Sequence, residues 1–202
     1  MGRANALGNL GNLLLGAGEF DDALKHHQRA LEIHEQTGNP LGRANALSNL
    51  GNVRFRTEKY DEALKAYQAA LKIYEQIGAA LGSAGALGNI GNILFKQSKA
   101  KEALATYEQA LEIHKEVGNT LGRANTLTNM GSLYSRMRRQ DDALDCLRQA
   151  LRIYETVGAR TKGLEAAEEL IRRLTGGKEE EGTVEDPGAA TQGTDDATPA
   201  AD

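Results

Sequence analysis

Asparagine recurs at regular spacings along the chain, in a pattern that could support hydrogen bonding to a peptide. Asn45, Asn49, Asn52 and Arg56 are four, three and four residues apart, so on an α-helix they share one stripe. An asparagine amide has two N–H donors and one acceptor oxygen, and it can pair with both the N–H and the C=O of an extended backbone. The equivalent stripes elsewhere are Asn5, Asn9, Asn12 and Gly16; Gly85, Asn89, Asn92 and Lys96; and Asn125, Asn129, Ser132 and Arg136.

The residues near the end of each stripe add positive charge and apolar surface. Basic side chains there would favour acidic groups or a carboxylate, and two phenylalanines beside them are candidate apolar anchors. The candidate peptide-binding residues are Asn9, Asn12, Asn45, Asn49, Asn52, Phe55, Arg56, Asn89, Asn92, Phe95, Lys96, Asn129 and Arg136.

A structural interpretation of the same asparagines stays open, because residues that recur in every segment can also cap or bridge helices. We call Asn9, Asn49, Asn89 and Asn129 the first column, and Asn12, Asn52 and Asn92 the second column. The two interpretations are evenly balanced for the first column, whereas we favour ligand contact for the second. For the basic residues we favour ordinary surface charge over a specific clamp.

Residues capable of metal binding or catalysis form no recognisable motif in the sequence. His27 and His34 share a helical face, but a separation of seven residues places them about 10 Å apart along the axis. For each histidine, a tyrosine occupies the equivalent position in two of the other three repeats, so we expect both histidines to pack. Cys146 is the single cysteine and has no motif-level histidine partner. With no P-loop or serine nucleophile elbow either, we predict no enzyme activity, no metal and no cofactor.

The stripe recurs because the chain repeats every 40 residues. Residues 1–40, 41–80, 81–120 and 121–160 align without gaps. Apolar residues in each repeat step by three and four, which predicts two helices joined by a polar turn. In the second repeat we expect Asp61 to be the N-cap of the second helix and Gly78 to be the C′ residue that ends it.

One column places glycine in the middle of the first helix of every repeat. Glycine costs about 1 kcal/mol relative to alanine inside a helix, so its recurrence needs a physical reason. We expect close contact between the two helices of each hairpin, with Ala63, Ala70 and their equivalents as the small partners. The column consists of Gly11, Gly51, Gly91 and Gly131.

Three runs in the second repeat resemble the tetratricopeptide-repeat motif. They are Asn49-Leu50-Gly51-Asn52, Tyr60-Asp61-Glu62-Ala63-Leu64 and Tyr67-Gln68-Ala69-Ala70-Leu71. Residues 1–160 carry this resemblance, with Leu47 and its equivalents where the motif more usually has Trp. The 40-residue length is similar to the repeats of Pins-type polarity adaptors and of bacterial signalling arrays. The resemblance implies an all-α fold, an α-solenoid of four helix-turn-helix hairpins whose first helices line a concave groove for a protein partner.

The segments outside the four repeats have a different composition. Residues 161–175 predict a capping helix, and residues 176–202 predict a disordered tail that contains one lysine and eight acidic residues. The chain opens directly in a repeat, which suggests a fragment of a longer array. The first helix then has no cap, and Leu10, Leu13 and Leu14 are available for self-association.

Composition narrows the class of partner. The formal net charge is -4 without a clustered basic face, which argues against nucleic acid, and no apolar run is long enough to span a bilayer. A single cysteine fits a reducing compartment, with the cytoplasm as the default location. We therefore predict a scaffold that binds a protein or peptide, which the basic residues suggest is acidic. The alternatives are a self-assembling structural array and a fragment of a larger signalling protein.

Overall fold

The structure is a computed structural model that describes residues 2–176. This part of the chain is helical, and no strand occurs within it. The predicted disordered tail, apart from Gly176, lies outside the described residues. The helices are α1 (Gly2–Ala17), α2 (Phe20–Gln36), α3 (Pro40–Arg56), α4 (Tyr60–Gln76), α5 (Ala80–Lys96), α6 (Ala100–Glu116), α7 (Thr120–Arg136), α8 (Gln140–Thr156) and α9 (Lys162–Leu174).

The helices pair as four hairpins, α1 with α2 through α7 with α8, and each hairpin packs on the next. Along the stack, α1 contacts α3, α3 contacts α5, α5 contacts α7, and α7 contacts α9. Within residues 2–176 the second helices make no such contact with one another. The odd-numbered helices are therefore on the inner side of the curve, and their exposed stripes line the concave face.

The end of α4 is where the sequence places it, but its beginning is not. Gly78 has a φ of 68°, and the Ala79 N–H donates to the Tyr74 carbonyl at 2.8 Å, so Gly78 is the predicted C′ residue. The prediction that Asp61 is the N-cap is wrong. The N-cap is Lys59, and Asp61 lies inside the first turn, where its charge favours the positive end of the helix dipole.

The recurring mid-helix glycines have a reason different from the one expected from the sequence. A Cβ on Gly51 would lie 2.7 Å from the Tyr67 ring, and one on Gly91 would lie 2.5 Å from the Tyr107 ring. The helices do approach closely there, but a side chain of the second helix fills the space, rather than the small residues Ala63 and Ala70. Glycine is required at these positions because a large ring lies directly on the backbone of the first helix. At Gly131 the Leu147 side chain takes the place of the ring, 2.6 Å from a Cβ.

A second set of glycines serves the contact between successive repeats. Gly42, Gly82 and Gly122 lie in the first turns of α3, α5 and α7, and each faces a ring at the end of the preceding helix. A Cβ on Gly82, for example, would overlap the Tyr74 ring. A ring packed on glycine therefore sets the geometry of the first three hairpins, with a leucine in its place in the fourth, and a second such contact sets the stacking of one hairpin on the next.

The two ends of the described array differ. Helix α9 contacts both α7 and α8, and its residue Ala167 is fully buried. At the other end, Leu10 and Leu13 of α1 are 42% and 72% exposed, whereas the equivalent Leu50 and Val53 of α3 are 2% and 0% exposed. The outer face of α1 thus presents the apolar residues that a preceding hairpin covers in the later repeats.

Candidate functional site

Two cavities on the concave face of the described array are lined by most of the binding residues predicted from the sequence. The first, which we call the amide segment, has a volume of about 360 Å³ and is lined by Asn9, Asn12, Asn45 and Asn49, with Asn5, Ser48, His27, His34 and Tyr74 among its other residues. The second, the aromatic segment, has a volume of about 200 Å³ and is lined by Phe55, Asn92, Phe95, Lys96 and Asn129, together with Tyr107 and Ser132.

Four predicted residues lie outside both linings. Asn52 and Asn89 are half-buried on the same stripes. The Arg56 guanidinium lies 6.0 Å from the centre of the Phe20 ring. The Arg136 guanidinium lies 5.2 Å from the centre of the Phe95 ring, so it borders the aromatic segment from the next repeat.

The second asparagine column is tied to tyrosines of the second helices. The Tyr67 hydroxyl donates to Asn52 Oδ1 at 2.7 Å, and the Tyr107 hydroxyl donates to Asn92 Oδ1 at 2.7 Å. These two residues therefore bridge the helices of their hairpins, as the structural interpretation expects, and ligand contact by this column stays a prediction. Each bond uses the amide oxygen, and the amide nitrogen has no partner within residues 2–176.

A further pair of tyrosines makes the same bond nearer the start of the first helix. The Tyr74 hydroxyl donates to Asn45 Oδ1 at 2.7 Å, and Tyr154 donates to Asn125 Oδ1 at 2.7 Å. The first column behaves differently, because its four amides make no hydrogen bond to any described residue. The groove accordingly combines amides held by their oxygens with amides free at both ends.

The first repeat departs from this arrangement. His27 takes the place of Tyr67, and its ring lies over Gly11 as the tyrosine lies over Gly51. The imidazole is fully buried, yet neither Nδ1 nor Nε2 has a hydrogen-bond partner. Burial also lowers the pKa of His27 below its ordinary value of 6.5, so the ring is neutral at pH 7. Packing was expected for this residue, but the two unpartnered nitrogens were not.

The sequence contains a two-repeat alternation that our sequence analysis missed. His34 and His114 contact the N-cap amides Asn39 and Asn119 through Nδ1, at 3.2 and 3.1 Å. In the other two repeats a tyrosine replaces the histidine and an alanine replaces the N-cap asparagine. The signal in the sequence was that both positions, five residues apart, change together. A histidine ring contacts the N-cap asparagine, whereas a tyrosine ring at the same position bonds an asparagine of the first helix.

The aromatic segment has a cation held against one of its rings. Phe95 carries Arg136 on its face, and Phe55 packs edge-on against Tyr60 with the ring centres 5.7 Å apart. Lys96 is exposed beside them. This end of the groove therefore joins apolar surface to positive charge. The Arg136 guanidinium also donates a hydrogen bond to Ser98 Oγ at 3.3 Å.

Comparison with known proteins decides the family. The profile of the tetratricopeptide repeat matches residues 2–76 and residues 82–156, which is most of the chain. The chain belongs to the tetratricopeptide-repeat family. Proteins of this family are in general protein-interaction scaffolds and typically not enzymes. A comparison with curated proteins found no match.

Three solved structures share the fold at low sequence identity. The apo form of RapI has a TM-score of 0.71 at 17% identity, covering 86% of this chain and 48% of RapI, so the chain spans about half the length of RapI. BtubC from P. vanneervenii has a TM-score of 0.66 at 20% identity, covering 97% of this chain and 85% of BtubC. A putative kinesin light chain from Podosopora anserina has a TM-score of 0.68 at 14% identity, covering 87% and 86%.

The described part of this tetratricopeptide-repeat chain holds no cluster of three metal-ligating side chains, and none of its helices is long and apolar enough to cross a membrane. Burial, aided by Asp142 and Asp145, raises the pKa of the Cys146 thiol to about 11. A thiol with that pKa stays protonated at pH 7 and is a poor nucleophile.

Proposed function

We propose that this tetratricopeptide-repeat chain is a scaffold that holds an extended segment of a partner protein along its concave groove. The observation that carries the proposal is the set of tyrosine–asparagine bonds. Because Tyr67, Tyr74 and Tyr107 each occupy an asparagine oxygen, the amide nitrogens of Asn45, Asn52 and Asn92 remain as oriented donors. Fixed donors in a row suit the carbonyl oxygens of an extended backbone.

Preorganisation supports this function. An amide that is already held by a buried hydroxyl loses little side-chain freedom when it binds, so more of each new hydrogen bond appears as affinity. Tyr67 and Tyr107 are 1% and 0% exposed, which makes them rigid supports. The free amides of the first column, such as Asn49, lie between the anchored ones and can supply both donors and acceptors.

The aromatic segment gives the partner a preferred chemistry. Lys96 and Arg136 place positive charge beside Phe95, so an acidic residue next to an apolar one suits this end of the groove. We expect a protein partner rather than nucleic acid or a membrane, because the groove has no extended basic surface. A cytoplasmic location remains a prediction from the sequence.

A peptide-display screen against the full chain tests the proposal. We expect acidic peptides whose affinity falls about 30-fold in the Asn52→Ala/Asn92→Ala double variant, since each of the two lost hydrogen bonds contributes about 1 kcal/mol. The matched control is Asn39→Ala/Asn119→Ala, which removes two asparagines that act as N-caps outside the groove. Failure to select any peptide, or equal loss in both double variants at comparable melting temperatures, would refute groove binding.

Self-association is the second candidate function, and the exposure of α1 favours it. Leu10 and Leu13 present an apolar face whose equivalents are buried in the next repeat. Light scattering across a concentration series would detect the association, and Leu13→Glu should abolish it. A monomer at every accessible concentration would exclude this role.

A further inference from the structure

The buried imidazole of His27 marks a place where the groove differs from its later repeats. In repeats 2 and 3 the ring over the mid-helix glycine ends in a hydroxyl that reaches Asn52 or Asn92 at 2.7 Å. An imidazole has no hydroxyl to reach that far, so both the oxygen and the nitrogen of the equivalent Asn12 amide are without a partner among the described residues. The space that the tyrosine hydroxyl fills in the later repeats is left open here, within the amide segment that His27 and Asn12 both line.

We propose that this niche, formed by Asn9, Asn12 and His27, receives an uncharged primary amide, the side chain of an asparagine or glutamine in the bound segment. The inference rests on the proposed function and assigns one subsite of the same groove. It differs from the equivalent places in repeats 2 and 3 in its hydrogen-bonding capacity. There a tyrosine hydroxyl fills the space and bonds the oxygen of Asn52 or Asn92, whereas the niche leaves the Asn12 oxygen and the His27 nitrogens without a partner among the described residues.

The unpartnered nitrogens of His27 point to a ligand. The ring is fully buried, and a buried polar atom without a partner costs free energy comparable to a lost hydrogen bond. A neutral imidazole carries one N–H donor and one acceptor nitrogen. Together with the free Asn12 amide, it can satisfy a group that has both an N–H₂ and a C=O, which a primary amide provides.

The absence of charge selects the amide over a carboxylate. No charged side chain lines the amide segment, whose polar residues are asparagines, two histidines, Ser48 and Tyr74. A carboxylate there would lose its hydration without gaining a cation. The aromatic segment, with Lys96 in its lining, is the place that suits a carboxylate. A segment bound in the groove would therefore present an amide at one end and an acid at the other.

The first test uses isosteric probes on the full chain. In NMR titrations at matched ionic strength, acetamide should shift the His27 imidazole and Asn12 side-chain signals saturably, and acetate should not. In His27→Tyr the new hydroxyl fills the niche as Tyr67 does, and the acetamide response should vanish while the fold is kept. Tyr67→His should create a second responsive site beside Asn52. Equal binding of acetate, no saturation, or an undiminished response in His27→Tyr would overturn the inference and leave the niche to water.

Peptide display separates the inference from the proposed function. Peptides selected by the wild-type chain should contain Asn or Gln at one position, and its replacement by Ala should lower affinity about tenfold. Selection against His27→Tyr should lose that position and keep the acidic one. Selected peptides without an amide preference, or with one unchanged in His27→Tyr, would refute the subsite alone. No selected peptides at all would refute groove binding and the subsite with it.

Discussion

Gly91→Ala tests whether a ring lying on the backbone is the reason for mid-helix glycine. The new Cβ would lie 2.5 Å from Tyr107 Cε1 and 2.7 Å from its Cδ1, closer than real contacts allow. The ring cannot move freely, because it is fully buried and its hydroxyl is bonded to Asn92. Overpacking of this kind costs about 1–3 kcal/mol. Alanine regains about 1 kcal/mol of helix propensity, so the net loss should be about 0–2 kcal/mol.

Gly85→Ala is the matched control within the same helix. Nothing lies within 4 Å of a Cβ at Gly85, so only the propensity gain applies, and this variant should be about 1 kcal/mol more stable than the wild type. The two variants should therefore differ by about 1–3 kcal/mol in the free energy of unfolding. Urea denaturation followed by far-UV circular dichroism measures that difference, provided that the slopes of the transitions agree.

A double-variant cycle identifies the clashing partner. In a Tyr107→Ala background the ring is absent, and Gly91→Ala should become neutral or stabilising. The reasoning is refuted if Gly91→Ala is as stable as Gly85→Ala. It is equally refuted if the penalty at Gly91 persists without the ring, since some other contact would then require the glycine.

Three other predictions concern the groove. Tyr107→Phe should lower the free energy of unfolding by about 1 kcal/mol, because it removes the hydrogen bond to Asn92. Tyr60→Phe is the control, since the Tyr60 hydroxyl makes no hydrogen bond within residues 2–176, and equal urea midpoints for the two variants would contradict the prediction. Burial lowers the folded-state pKa of His27 and His114 below 6.5, so the unfolded chain takes up protons at higher pH than the folded chain, and stability should fall as the pH falls below about 6.5. The decline should be smaller in His27→Tyr, and thermal melts across pH that show no decline would contradict the lowered pKa values. The affinity of a selected acidic peptide should fall as the salt concentration rises, and Lys96→Gln should reduce this dependence in calorimetric titrations. An identical salt dependence in the variant would show that the acidic residue of the peptide does not bind beside Lys96.

The repeat pattern was sufficient to predict the fold. A 40-residue period with apolar residues at helical spacing defines hairpins that cannot bury their faces alone, and stacking is the arrangement that covers them. Glycine at position 78 ended its helix as expected, because a left-handed C′ residue is a local backbone requirement. The N-cap of α4 was predicted at Asp61, two residues after its actual position at Lys59, because a helix that begins without a side-chain cap leaves little local signal in the sequence.

The sequence also determined the composition of the candidate site, but the tertiary structure alone decided what each residue of it does. Spacing places Asn49 and Asn52 on one stripe, and both positions carry the same amide. A side chain from the other helix distinguishes them: Tyr67 reaches Asn52 and leaves Asn49 free. Likewise, His27 and Tyr67 hold equivalent positions, but only the packed structure shows that the shorter ring leaves its nitrogens unpartnered. Periodicity fixes which residues share a face, whereas partners 15 residues away in sequence depend on how two helices meet in space.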